Sequence, residues 1–171
     1  QTGHYGWSPA LQDAFTQAVS HADSHLTPGR VIAQHRDLWR VVGADGECGC
    51  SLTGRFRLDA RDGDYPVVGD WVGFDPHGAL IHLRLPRRTA FSRRAPGAGD
   101  QGVQVLCANI DVALIVMSLN GDLNPRRLER YLATVADGGA QAVCVLTKSD
   151  LCEDLGAATA QLAASLGETP I

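Results

Sequence analysis

The chain has 171 residues, of which 44% are hydrophobic and 20% charged, with a formal net charge of −4; this is the balance of an ordinary globular protein and excludes a disordered or fibrous one. No run of 18 apolar residues occurs, and Gln1 to Trp7 lacks the basic patch and apolar core of a signal peptide, so the expectation is a cytoplasmic protein with no membrane partner. Charge is unevenly placed: residues 29–96 hold eleven arginines against eight acids and residues 97–171 hold four bases against nine acids, a split that predicts two domains.

Residues 1–28 read as an N-terminal extension, with a short helix from Pro9 to Val19 and a turn at Leu26-Thr27-Pro28-Gly29. From residue 29 to 86 the rhythm is of short strands. Val31, Leu38, Val41, Leu52, Phe56, Leu58, Val67, Trp71, Phe74, Leu80 and Leu83 fall in short runs, separated by turns at Asp45-Gly46, Asp62-Gly63 and His77-Gly78. Strands of that number and spacing predict a five-stranded OB-fold β-barrel, with an SH3-like barrel as the competing assignment. Residues 87–104, with Pro86 before them and Pro96 among them, read as a linker.

Residues 105–171 change period. The continuous apolar run Val112 to Met117 predicts a parallel strand buried on both faces. A helix follows, with Asn124 as N-cap, Pro125 at its first position, Gly138-Gly139 after its end, and Leu128, Tyr131, Leu132 and Val135 on one stripe. Ala142 to Leu146 is a second strand, Leu155 to Leu166 a second helix ending at Gly167, and Thr169-Pro170-Ile171 would begin another strand. The fold class is therefore α+β with two domains: the barrel, then the first part of an α/β domain that looks cut off partway.

In open α/β sheets ligands bind beyond the carboxyl ends of the strands. Thr147-Lys148-Ser149-Asp150 follows the strand ending at Leu146. A carboxylate there can accept the two neighbouring donors of guanine, the ring N1–H and the 2-amino group, which adenine does not present together. Lys148 would lay its aliphatic stem along the base. A phosphate loop of the G-x-x-x-x-G-K-[ST] kind needs a lysine, and Lys148 is the only lysine. Either the four residues are a coincidence, or GTPase motifs run in permuted order with the phosphate loop beyond Ile171.

Arg84, Arg87, Arg88, Arg93 and Arg94 place five cations in eleven residues, with Arg55 and Arg57, expected on a barrel strand, as companions. Such a cluster fits phosphate contacts to RNA or, equally, a solvated linker. Trp39, Trp71 and Phe74 fit core packing better than base stacking. Cys48-Gly49-Cys50 supplies only half a zinc site, and the five cysteines lack the spacing of a disulfide scaffold, so all read as reduced thiols. No catalytic residue and no metal ligand is expected within the chain.

Seven stretches together carry a resemblance: Tyr5-Gly6-Trp7, Gly29-Arg30-Val31, Pro66 to Val72, Leu85 to Thr89, Ala108 to Asp111, Arg127 to Leu132 and Leu146 to Leu151. The chain resembles the N-terminal half of the RsgA (YjeQ/EngC) family of circularly permuted GTPases that assist small-subunit assembly. The resemblance implies an OB-fold, a GTPase domain entered at its base-specificity loop, and a later zinc-binding tail. It implies GTP or GDP with Mg2+ in the α/β domain, the base held at Thr147, Lys148, Ser149 and Asp150, and it tips the arginine cluster toward RNA: the partners would be the 30S subunit and its 16S rRNA, met by a monomer. Thr147 stands where Asn is common, and the phosphate loop, switch segments and zinc ligands are outside the chain, so hydrolysis by this piece alone is not expected. The rivals are a non-enzymatic RNA-binding OB-fold protein with an α/β interaction module, and an α/β enzyme for another ligand.

Overall fold

Ser8 opens the first helix, α1 (Pro9–Ala18): its hydroxyl accepts the Leu11 N–H at 3.4 Å, and Pro9 occupies the position where a missing N–H is harmless. The helix belongs to a computed structural model that describes residues 5–19, 25–61, 63–94, 103–120, 123–167 and 169–170. The chain divides into two units, Gln1–Asn109 and Ile110–Ile171.

In the first unit, β1 (Thr27–His35), β2 (Leu38–Gly43), β3 (Gly46–Leu52), β4 (Trp71–Asp75) and β5 (Leu80–Arg84) close a barrel in the order β1-β2-β3-β5-β4. The β3–β5 contact is parallel and the others are antiparallel. A helix, α2 (Gly54–Asp59), bridges β3 and β4. Five strands closed in this order make the OB-fold assignment. Period-two alternation sends Val31, Trp39, Val41, Cys50, Leu52, Val72, Phe74 and Ile81 inward to one core. Gly29 is required by close approach, since a Cβ there would lie 2.4 Å from Val41 Cγ1 and 2.6 Å from Phe74 Cε1. Phe15 of α1 packs with Leu26, Trp71 and Leu85 in a second cluster, where Trp7 meets Trp71 edge-on at 4.8 Å.

Three expectations need correction. Thr27-Pro28-Gly29 is strand, not turn, because its backbone pairs with Phe74 to Val72 of β4. Arg55, Phe56, Arg57 and Leu58 lie on α2, not on a strand: Thr53 caps the helix by accepting the Phe56 N–H at 3.1 Å, and Leu58 is left 87% exposed. The stretch read as a linker contains β6 (Ala90–Arg94), which pairs antiparallel with β7 (Val103–Ala108). The Pro- and Gly-bearing residues between those strands hid the pairing. Asp62, and 95–102 with Pro96, lie outside the described residues.

The second unit runs β8 (Val112–Ser118), α3 (Pro125–Asp137), β9 (Gln141–Thr147) and α4 (Leu155–Leu166). β8 and β9 are parallel and in register from Val112↔Gln141 to Ser118↔Thr147. Asn124 caps α3 by accepting the Arg127 N–H at 3.1 Å, and Leu128 and Val135 form its buried stripe; Tyr131 is 47% exposed. Among the described residues β8 is covered on one face only: Ile115 and Met117 are buried, whereas Leu114 and Val116 are 64% and 61% exposed. The apolar run therefore exceeds what the described residues bury. Past α4, the Cys144 N–H donates to Pro170 O at 2.8 Å, a sheet-type bond on the far edge of β9; Ile171 lies outside the described residues.

Candidate functional site

The four residues singled out after β9 stand at the carboxyl edge of the parallel pair, where a ligand is expected. Thr147 Oγ1 donates to Met117 O at 3.2 Å, and the Leu119 N–H donates to Thr147 O at 2.9 Å, so the exits of β8 and β9 are laced together. Thr147 thus spends its hydroxyl inside the unit. Lys148 then takes the left-handed conformation, with φ 59° and ψ 40°, at a cost of about 1–2 kcal/mol for a residue with a Cβ. That single residue reverses the chain into the 3-10 turn Ser149–Leu151, closed by Leu151 N–H to Lys148 O at 3.0 Å.

Lys148, Ser149 and Asp150 are all exposed. Among the described residues no hydrogen bond or ion pair engages the Asp150 carboxylate or the Lys148 ammonium. A carboxylate projecting from a turn that strands and backbone hold, with both oxygens open, fits a ligand offering two parallel donors. Asp154 ends the loop by capping α4, accepting the Ala157 N–H at 2.9 Å. Among the described residues no three His, Cys, Asp or Glu side chains gather to hold a metal ion.

The arginine cluster divides into separate roles. Arg87 is a structural clamp: its Nε and Nη2 donate to Asp70 Oδ1 and Oδ2 at 2.9 and 2.8 Å, and it also donates to Gly63 O and Tyr65 O at 2.7 and 2.9 Å. Asp70 is fully buried and Arg87 12% exposed. Arg84 is similarly engaged, with Asp64 O and Leu85 O, each at 3.1 Å. Arg88 is exposed, its backbone N–H donating to Asn109 Oδ1 at 2.9 Å, and the exposed Arg93 donates to Gln104 Oε1 at 3.2 Å across β6 and β7. The side chain of Arg94 lies outside the described residues. On α2, Arg57 pairs with Asp37 at 3.0 Å, and Arg55, 92% exposed, approaches Asp59 at 3.6 Å. Arg55 and Arg84 share an open groove of about 280 Å³ with Phe56 and His82. Trp39, Trp71 and Phe74 are buried and offer no ring to a base.

Residues quoted above only as matching stretches turn out to form one polar lock. Arg30 donates to Tyr5 O, to Gly69 O at 3.3 Å and to Asn109 O at 2.8 Å, while its guanidinium lies 5.5 Å from the Trp71 ring. Asn109, buried with φ 53°, donates to Gly69 O at 3.0 Å. Gly69 has φ 94°, and a Cβ there would lie 1.9 Å from Ala108 O. For the separate Arg87 clamp, an acid within the otherwise apolar run Val67 to Val72, Asp70, was the one signal in the sequence that a charged partner must sit close by.

The thiols are all free. Burial pushes the Cys50 thiol up to about 12, aided by a hydrogen bond and charge from Cys48, and burial also raises Cys107 and Cys144. The Asp75 carboxyl is held below its ordinary value, chiefly by the Gly78 N–H and also by the His77 N–H at 2.9 Å.

Residues 84–169 match the family model described as RsgA GTPase. The chain is 39% identical to the small ribosomal subunit biogenesis GTPase RsgA of Syntrophotalea carbinolica, over 97% of this chain and 47% of that protein. It is 44% identical to the protein of the same name from Xylella fastidiosa, over 91% and 47%. In fold it is similar to YjeQ from Thermotoga maritima, with a TM-score of 0.64 at 21% identity over 85% of this chain and 50% of that one. It is similar also to YloQ, a circularly permuted GTPase, with a TM-score of 0.57 at 22% identity over 86% and 49%. The chain spans about half the length of the curated relatives it matches. With half of its residues matching the family model, and β8, β9 and the Thr147 to Asp150 loop inside the matched segment, the chain belongs to the RsgA GTPase family.

Proposed function

We propose that this chain is the barrel and base-reading part of a ribosome-biogenesis GTPase that acts in late small-subunit maturation, hydrolysing GTP to GDP and phosphate. The protein works as a monomer in the cytoplasm and meets the 30S subunit through its 16S rRNA. Thr147, Lys148, Ser149 and Asp150 hold the guanine. The phosphate loop, the residues that place Mg2+ and a zinc-binding tail belong to sequence beyond these residues, as the doubled length of the relatives suggests. On the first unit Arg55, Arg57, Arg88, Arg93 and Arg94 meet RNA phosphates, while Arg84 and Arg87 act by shaping the surface.

The observation that carries the nucleotide reading is the uncommitted Asp150 carboxylate at the sheet's carboxyl edge. Asp150→Asn replaces one of two acceptors by a donor, which then faces the 2-amino group of guanine. Xanthine has a carbonyl at that position and satisfies the amide. In a chain extended to the length of its relatives, the change costs GTP on the order of 3 kcal/mol, about a hundredfold, while XTP gains. Competition of GTP and XTP against a fluorescent nucleotide reads this directly. A variant that still prefers GTP by the wild-type margin removes Asp150 from base recognition.

A further inference from the structure

The second unit carries eight acids and four bases, yet three of the four bases, Arg126, Arg127 and Arg130, stand within five residues at the start of α3. Local physics opposes this placement. A helix N-terminus favours acids, but the first turn of α3 has none. Arg126 and Arg130 are also a like-charge pair one turn apart, which destabilises a helix. Both are exposed, and among the described residues neither has a carboxylate at ion-pair distance. The nearest acid in sequence, Glu129, instead accepts the Ser165 hydroxyl at 2.8 Å. Asn124, Arg126, Glu129, Arg130 and Ala133 line one open groove. α3 begins where the chain leaves β8, so the patch lies at the carboxyl edge of the sheet, the edge that also bears the Thr147 to Asp150 loop.

We propose that Arg126 and Arg130 form a second RNA-phosphate contact surface, carried by the nucleotide-binding unit and separate from the barrel's arginines. Two planar guanidinium forks four residues apart, about 6 Å along the helix axis, suit neighbouring phosphates of one strand, each of which can be met bidentately. The proposal rests on the reading that the partner is RNA, but on different residues from those assigned to the barrel. An RNA strand lying here would pass the base-reading loop, so that RNA and nucleotide share one edge of the unit.

The test is anisotropy of a fluorescein-labelled RNA hairpin titrated with the 171-residue chain at several salt concentrations, for wild type, Arg126→Gln/Arg130→Gln, Arg126→Lys/Arg130→Lys, and the barrel variant Arg88→Gln/Arg93→Gln. Losing two phosphate contacts lowers the slope of log K against log salt by about 1.8, and affinity at about 0.1 M salt by roughly sixtyfold. The lysine pair keeps the slope. An α3 glutamine variant with wild-type affinity and slope overturns the proposal, and does so without touching the barrel reading if the barrel variant loses slope. Loss of slope in the α3 variant alone upholds the proposal and overturns the barrel assignment. A chain that prefers a polyglutamate peptide to the hairpin, with that preference lost in the α3 variant, assigns the patch to an acidic protein and likewise overturns the proposal.

Discussion

Arg87→Met tests whether the arginine cluster contains a buried clamp. In the wild type the Asp70 carboxylate is fully buried and takes both Arg87 nitrogens, at 2.9 and 2.8 Å, plus the Val67 N–H at 2.8 Å. Removing the guanidinium leaves a buried charge with one donor, a change that costs about 3–5 kcal/mol. Against a domain stability of about 5–15 kcal/mol that is a large fraction of the whole. The three tryptophans, Trp7, Trp39 and Trp71, all lie in the first unit, so tryptophan fluorescence in a urea titration follows that unit alone. With a urea slope of about 2 kcal/mol/M, the middle of the range for small proteins, the midpoint falls by roughly 1.5–2.5 M. The pair is then removed together. Asp70→Asn/Arg87→Met keeps an acceptor for the Val67 N–H and leaves no charge, so it recovers more than half of the loss. A single variant that costs less than about 1 kcal/mol would mean a solvent-screened pair, and Arg87 would return to the list of residues open to phosphate.

Two further outcomes follow from the barrel unit. Gly69→Ala drives a Cβ into Ala108 O, 1.9 Å away, at a φ of 94°, and loses about 3 kcal/mol or more by the same urea titration; a loss below about 1 kcal/mol would mean that β7 does not close on that loop. Cys50 has a folded value of about 12 against an ordinary 9.0, so its contribution to stability is complete below pH 9 and is lost as pH rises from about 9 toward 12. Urea midpoints at about pH 8 and about pH 10.5 should diverge in wild type more than in Cys50→Val; equal divergence in both refutes a role for that thiol.

Alternation and turn chemistry made the barrel legible, because Trp39, Val41, Val72 and Phe74 fall on one face at period two and the turns after Ala44 and Pro76 are short. The same rule misread α2, where Phe56 and Leu58 alternate like a strand but a Thr53 cap and six residues of helix prevail. β6 was hidden since its partner β7 lies across a Pro- and Gly-bearing stretch, and pairing at a distance leaves no local pattern. The loop from Thr147 to Asp150 was readable because its chemistry is written in consecutive residues behind an apolar strand. The Arg30, Asn109, Gly69 and Asp70, Arg87 contacts were not, for they join residues up to 79 positions apart, and charge counting assigns every arginine to solvent until a buried acid claims it.

The half-open face of β8 changes how this chain must be handled. Val112, Leu114 and Val116 stand 46%, 64% and 61% exposed on alternate positions of one strand, a flat aliphatic row of the kind through which sheets stick to one another. Such adhesion strengthens in sulfate, since excluded salts favour burial of apolar surface, whereas attraction to a polyanion weakens with added salt. The two therefore respond to ammonium sulfate with opposite sign, and a light-scattering trace taken across that salt series separates protein that has clustered on itself from protein that has bound nucleic acid.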